Sequence, residues 1–171
     1  MAELTEDRFR AVMSRFATGV TVMTSCGEGL PHGMTANAVA SLSLDPPLVL
    51  VCVERGTVME EMVETSGVFA LSFLPAGRKD LSEHFADPGR PVGDEQFEPV
   101  TTRTATSGAP VLDGAVGWVD CEVWATYDGG DHVIVVGQVV DLGRDSDEHA
   151  LVYFRSAYGS VHPDEPFPPG R

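Results

Sequence analysis

Two stretches of this sequence carry side chains suited to holding a flat ligand that bears a phosphate. In the first, Thr35, Asn37, Ser41 and Ser43 are spaced among apolar residues between Pro31 and Val53. Short hydroxyl and amide groups on a strand let a flat polar molecule lie close to the backbone. The same residues also read as a plain strand, a turn at Asp45-Pro46-Pro47 and a buried strand from Leu48 to Val53. In the second, Arg55-Gly56-Thr57 stands where that apolar run gives way to a helical pattern. Unpaired N–H groups at a helix start and one arginine suit a phosphate, and a merely capped helix start is the other reading. His132 follows the turn Asp128-Gly129-Gly130-Asp131, where Asp131 or solvent would satisfy it. His32, His84, His149 and His162 show no ligand spacing, and Cys26, Cys52 and Cys121 are odd in number and far apart. The cysteines therefore read as reduced core residues, with no metal site expected.

The formal charge of −15 limits the partners. Such a surface repels phosphate backbones, so nucleic acid is not expected, and any phosphate on a ligand must be met by a local patch of donors. A length of 171 residues suits one domain, placed at 1–161, with a flexible Pro-rich tail at 162–171. The apolar runs are too short to cross a bilayer and the polar N-terminus does not resemble a secretory signal, so a cytoplasmic protein is expected.

The elements that must position these residues follow from spacing. Thr5 can cap a first helix whose stripe Phe9, Val12, Met13 and Phe16 runs towards Thr18-Gly19. Val20 to Cys26 reads as a strand, turning at Gly27-Glu28-Gly29 into the first polar stretch as a hairpin. A helix is expected from Val58 to about Thr65, a strand from Val68 to Leu74 and a short helix from Lys79 to Ala86. Asp87 to Pro99 is a long loop in which Phe97 is either an anchor or part of a lid. Ala115 to Tyr127 and His132 to Leu142 form two long strands, and Leu151 to Phe154 a short last one. On the first of the long pair, Trp118, Asp120, Glu122 and Trp124 share a face whose tryptophans would suit an interface, while the two acids argue for partial exposure. Many strands, few helices and frequent glycine turns predict a mostly β, antiparallel barrel with peripheral helices. No Gly-x-Gly-x-x-Gly turn follows a strand, so a Rossmann domain is not expected.

Four motifs in order resemble the flavin reductase family, the small reductases of two-component monooxygenases with the FMN-binding split-barrel fold. They are Phe9-Arg10 through Phe16-Ala17-Thr18-Gly19-Val20-Thr21-Val22; Gly33-Met34-Thr35-Ala36-Asn37 running on through Ser41-Leu42-Ser43-Leu44-Asp45-Pro46-Pro47-Leu48-Val49; Gly130-Asp131-His132 followed by Val133 to Val139; and Leu151-Val152-Tyr153-Phe154-Arg155 with Tyr158. Together they cover roughly residues 8 to 160. The resemblance implies a Greek-key split barrel and an oxidoreductase that passes hydride from a nicotinamide to the flavin N5. Reduced FMN (or FAD) then leaves for a separate oxygenase. Such chemistry belongs to the two cofactors and asks the protein for no nucleophile or metal. NADH is favoured over NADPH because no arginine cluster for a 2′-phosphate is evident.

Carried over by motif, Thr35, Ala36 and Asn37 would line the flavin, with Ser41, Leu42 and Ser43 along the ring edge and Cys52 and Val53 continuing the wall. Arg55 and Thr57 would meet the phosphate, and Phe85 and Tyr158 would cover the ring, though either aromatic could be plain core. His132 would contact or orient the nicotinamide. The family also implies a homodimer. Rival readings are an FMN-retaining oxidase of the pyridoxamine-phosphate-oxidase type and a non-catalytic flavin- or haem-binding module on the same barrel.

Overall fold

A computed structural model describes residues 3–27 and 30–161. The expected turn at Glu28-Gly29 and the Pro-rich tail at 162–171 lie outside the described residues. The chain runs α1 (Glu6–Met13), β1 (Thr18–Gly19), β2 (Thr21–Gly27), β3 (Leu30–Ala36), β4 (Val39–Leu44), β5 (Pro47–Glu54), α2 (Val58–Ser66), β6 (Val68–Phe73) and α3 (Lys79–Ala86). A single-turn 3₁₀ segment at Gly93–Phe97 leads to β7 (Thr102–Thr104), β8 (Pro110–Leu112), β9 (Gly117–Gly129), β10 (His132–Gly143), β11 (Leu151–Phe154) and β12 (Ala157–Ser160). The fold is mostly β and antiparallel, as the alternation and glycine turns predict. No helix among the described residues is long and apolar enough to cross a membrane.

Seven strands form one sheet in the order β3-β2-β6-β9-β10-β5-β4. Its two edges, β3 and β4, are consecutive in the chain and joined only by Asn37 and Ala38. So short a link spans at most about 11 Å, so the sheet must roll until its edges nearly meet. Asn37 therefore stands at the seam. Inside the roll, Met23, Val51, Val53, Phe69, Leu71, Cys121 and Val135 form the main core, and Met59 and Val63 of α2 join it. Where β10 passes this core, a Cβ on Gly137 would lie 2.4 Å from the Phe69 ring and 2.8 Å from Cys121 Cβ, so only glycine fits. A second cluster, with Val22, Leu74, Leu81, Phe85, Phe97 and Leu151, packs α3 against β2 and the small sheet β1-β11-β12.

Two expectations are corrected and one open alternative is decided. α1 ends at Met13, with Ser14 as its C-cap, rather than near Thr18-Gly19. Its stripe is not buried in this chain: Phe9, Val12, Met13 and Phe16 are 58%, 69%, 49% and 70% exposed, so no packing rewards a longer helix. Asp120 is fully buried rather than partly exposed, because it accepts bonds from the Ser107 N–H and hydroxyl. Between Asp87 and Pro99, Phe97 is an anchor and no lid: it is buried against the Phe85 ring, 5.4 Å between centroids.

Candidate functional site

A cleft of about 500 Å³ opens between β3, the β5–α2 turn and the loop after α3. β3 contributes His32, Met34 and Thr35; the turn contributes Glu54, Gly56 and Thr57; α3 and its loop contribute Phe85 and Arg90. Past Thr35 and Ala86 the cleft continues into a smaller hollow lined by Asn37, Ser82, Tyr153 and Tyr158. The alternation of β3 sets this up, since Thr35 faces α3 while Ala36 turns into the main core.

Thr57 is the N-cap of α2, in the extended conformation such caps require. Its hydroxyl donates to the Glu54 carbonyl at 2.8 Å and accepts from the Glu60 N–H at 3.3 Å. The Glu60 carboxylate reaches back to the Gly56 N–H at 2.6 Å. The Val58 and Met59 N–H groups have no acceptor within the helix, and the positive end of its dipole lies with them. Val58 and Met59 line one end of the cleft, a position whose donors suit an anion.

The opposite wall is tied to β3 by hydrogen bonds. Gln96 is fully buried and ties the loop to β3, accepting from the Gly33 N–H at 2.8 Å and donating to the carbonyls of Pro31 at 3.0 Å and Gly93 at 2.9 Å. A Cβ on Gly33 would meet the Phe85 ring at 2.8 Å, so β3 and α3 touch at that point. Thr35 Oγ1 donates to the Ser82 carbonyl at 2.6 Å, and the Ser82 and Tyr158 hydroxyls lie 2.9 Å apart.

The structure thus brings Thr35 and Thr57 to the cleft, and Asn37 and Tyr158 to the adjoining hollow, while Phe85 is buried in the second core cluster beneath the cleft. Asn37 Nδ2 donates to Thr18 Oγ1 at 3.3 Å. Ala36 and Val53 are buried in the core behind it. Ser41, Leu42 and Ser43 lie on the edge strand β4, where the pairing with β5 is irregular, and do not line this cleft. Cys52 is half-buried on β5, where burial raises its thiol pKa, and Cys121 is pushed up to about 12 by burial and by Asp120. Neither is poised as a thiolate. Arg55 turns away from the α2 start: it donates to the Gly130 carbonyl at 3.0 Å, to Asp128 at 2.8 Å and to Glu60 at 3.2 Å. Its bond holds the Asp128 carboxyl below the usual range. His132 pairs in register with Glu54 of β5, and its Nδ1 lies 2.8 Å from Asp131 Oδ1.

Two cleft residues were not singled out by sequence, His32 and Arg90. They meet across 58 positions, with Arg90 Nη2 3.1 Å from His32 Nε2. Burial and the neighbouring Arg90 charge lower the His32 pKa to about 4. No spacing signal marks that pair; the only local cue is an arginine between prolines in the long loop.

Comparison with known proteins places this geometry. Residues 13–162 match the flavin reductase like domain family. An NADH-dependent FAD reductase of Streptomyces globisporus is 40% identical over 158 residues, covering 92% of this chain and 86% of the relative. The reductase subunit of a flavin-dependent monooxygenase of Rhodococcus jostii is 33% identical, covering 94% and 80%. The crystal structure of the flavin reductase component of a bacterial two-component tryptophan halogenase superposes with a TM-score of 0.86 at 39% identity, covering 92% of this chain and 98% of that one.

Proposed function

On the premise that this chain belongs to the flavin reductase like domain family, we propose that it is an NADH-dependent flavin reductase supplying reduced flavin to a partner monooxygenase. The observation that carries the reading is the cleft in which Thr35 of β3 and the capped start of α2 line one hollow. Its donor set fits a flavin nucleotide. The Val58 and Met59 N–H groups hold the phosphate, Thr57 shapes that cradle from behind, and Thr35, Asn37 and Tyr158 border the space left for the ring. The flavin and the nicotinamide supply the hydride chemistry; the protein supplies closeness and orientation. Since the chain carries a charge of −15, these local donors and not the overall field attract the ligands.

His132 stands at the start of β10 beside Glu54, whose residue lines the cleft. It serves as an orienting contact for the nicotinamide. FMN and FAD are both candidate acceptors, with NADH as the donor. The exposed stripe of α1, together with Leu42 at 50% and Leu44 at 92% exposure, supports a homodimer that covers it. Three unpaired cysteines favour a cytoplasmic setting.

The direct test is NADH oxidation by the purified protein with and without added FMN, FAD or riboflavin. Turnover that requires and saturates with added flavin is expected. Tight flavin retention with no NADH turnover would overturn the reading in favour of an oxidase or a binding module.

A further inference from the structure

We propose that Arg90, held in place by His32, forms a second anion subsite facing the cleft, which takes the diphosphate of a dinucleotide substrate. The proposal rests on the flavin reductase reading and assigns a role to the wall of the cleft opposite the α2 cradle.

Six of the described basic residues, Arg10, Arg55, Arg78, Lys79, Arg103 and Arg144, each pair with a carboxylate. Of the other four, Arg8, Arg15 and Arg155 are exposed, and Arg90 alone is half-buried. Arg90 spends its donors on neutral acceptors instead. Nη2 donates to the Gly33 carbonyl at 2.6 Å and to His32 Nε2 at 3.1 Å, while Nη1 donates to the Asp87 carbonyl at 2.9 Å. Its Nε is buried and has no hydrogen-bond partner. The nearby Asp87 carboxylate is engaged by the Gly89 N–H at 2.8 Å and helps Arg90 only through its field, against the burial that disfavours the charge. The orphaned Nε is closed off from solvent, so an anion in the cleft meets the guanidinium through its second Nη1 hydrogen and its charge.

His32 explains how the group is aimed. Being neutral above about pH 4, it offers Nε2 as an acceptor and adds no competing charge. Together with the Gly33 carbonyl it fixes one edge of the guanidinium on β3. The cleft therefore presents two sets of anion donors on different walls: the α2 start and Arg90. The single phosphate of a mononucleotide is served by the first set. A dinucleotide carries two linked phosphates, and only such a ligand uses both.

The test compares wild type with Arg90→Gln and Arg90→Lys, after circular dichroism shows that each is folded. FAD and FMN affinities are read from flavin fluorescence quenching, ADP affinity by calorimetry, and the KM for NADH by turnover. Arg90→Gln is expected to weaken FAD by about tenfold, FMN by less than about threefold, and to abolish most ADP binding, with Arg90→Lys recovering part of each. A loss confined to the KM for NADH and to ADP would assign the same diphosphate subsite to the nicotinamide nucleotide. Equal losses for FAD and FMN, or none for FAD, NADH and ADP, would overturn the subsite. Wild-type protein that reduces no flavin would overturn the reductase reading, and the ADP titration would still judge Arg90.

Discussion

Replacing Thr57 by alanine separates two ways in which a threonine at a helix start can serve a phosphate. In the structure its hydroxyl proton is committed to the Glu54 carbonyl and a lone pair to the Glu60 N–H. Thr57→Ala removes the cap, which costs about 1 kcal/mol and lowers the melting temperature by roughly 2–4 °C in a chain of this size. If the hydroxyl only holds the cradle, FMN affinity falls less than about fivefold, because the Val58 and Met59 N–H groups remain. Were the hydroxyl itself bonded to the phosphate, the loss would be about 1.5–3 kcal/mol, or roughly 10- to 150-fold in Kd. Calorimetric melting and flavin fluorescence quenching on Thr57→Ala and Thr57→Ser measure both. Serine should restore the cap and the affinity together. A loss of FMN affinity above about thirtyfold in Thr57→Ala, with the melting temperature unchanged, would refute the positioning role.

Three further outcomes are expected. His132→Ala should raise the KM for NADH while leaving the flavin Kd unchanged; unaltered turnover and NADH affinity would remove His132 from the site. Gly137→Ala should destabilise the fold by about 1–3 kcal/mol, since its methyl would enter the Phe69 ring, and a melting temperature equal to wild type would contradict that packing. His32 takes up a proton below pH 6.5 when unfolded but only below about pH 4 when folded. The unfolded state therefore binds more protons across that window, and stability falls as pH drops from 6.5 to about 4. His32→Gln should flatten this part of the chemical-denaturation profile, and a profile identical to wild type would exclude the histidine as its source.

Elements with a full periodic signal were legible in the sequence. α3 and β11 have the bounds that Leu81, Phe85 and the run Leu151–Phe154 suggest. β7, β8 and β12, at three or four residues each, are too short to show a period and contain Pro110 and Gly159. Asp120 was misjudged because alternation tells which face a residue takes, not whether a remote Ser107 satisfies it there. The lining of the candidate cleft was legible where backbone placement decides, at Thr35 and Thr57. It was not legible where side-chain direction decides. Arg55 stands at the expected junction, yet its aim is set by Asp128, 73 positions away, and Arg90 meets β3 only through the tertiary fold.

The loop from Asp87 to Pro99, tied to β3 by buried Gln96, has a consequence for traffic through the cleft. A protein that hands its product to another enzyme gains nothing from a gate that must open at every turnover. With this rim bolted in place, residence time depends on the contacts within the cleft, not on the frequency of a hinge. Capture should then be a single collision step, its observed rate rising linearly with flavin concentration and showing no plateau. The cleft is a berth with a fixed quay, and a ligand leaves when its own moorings loosen.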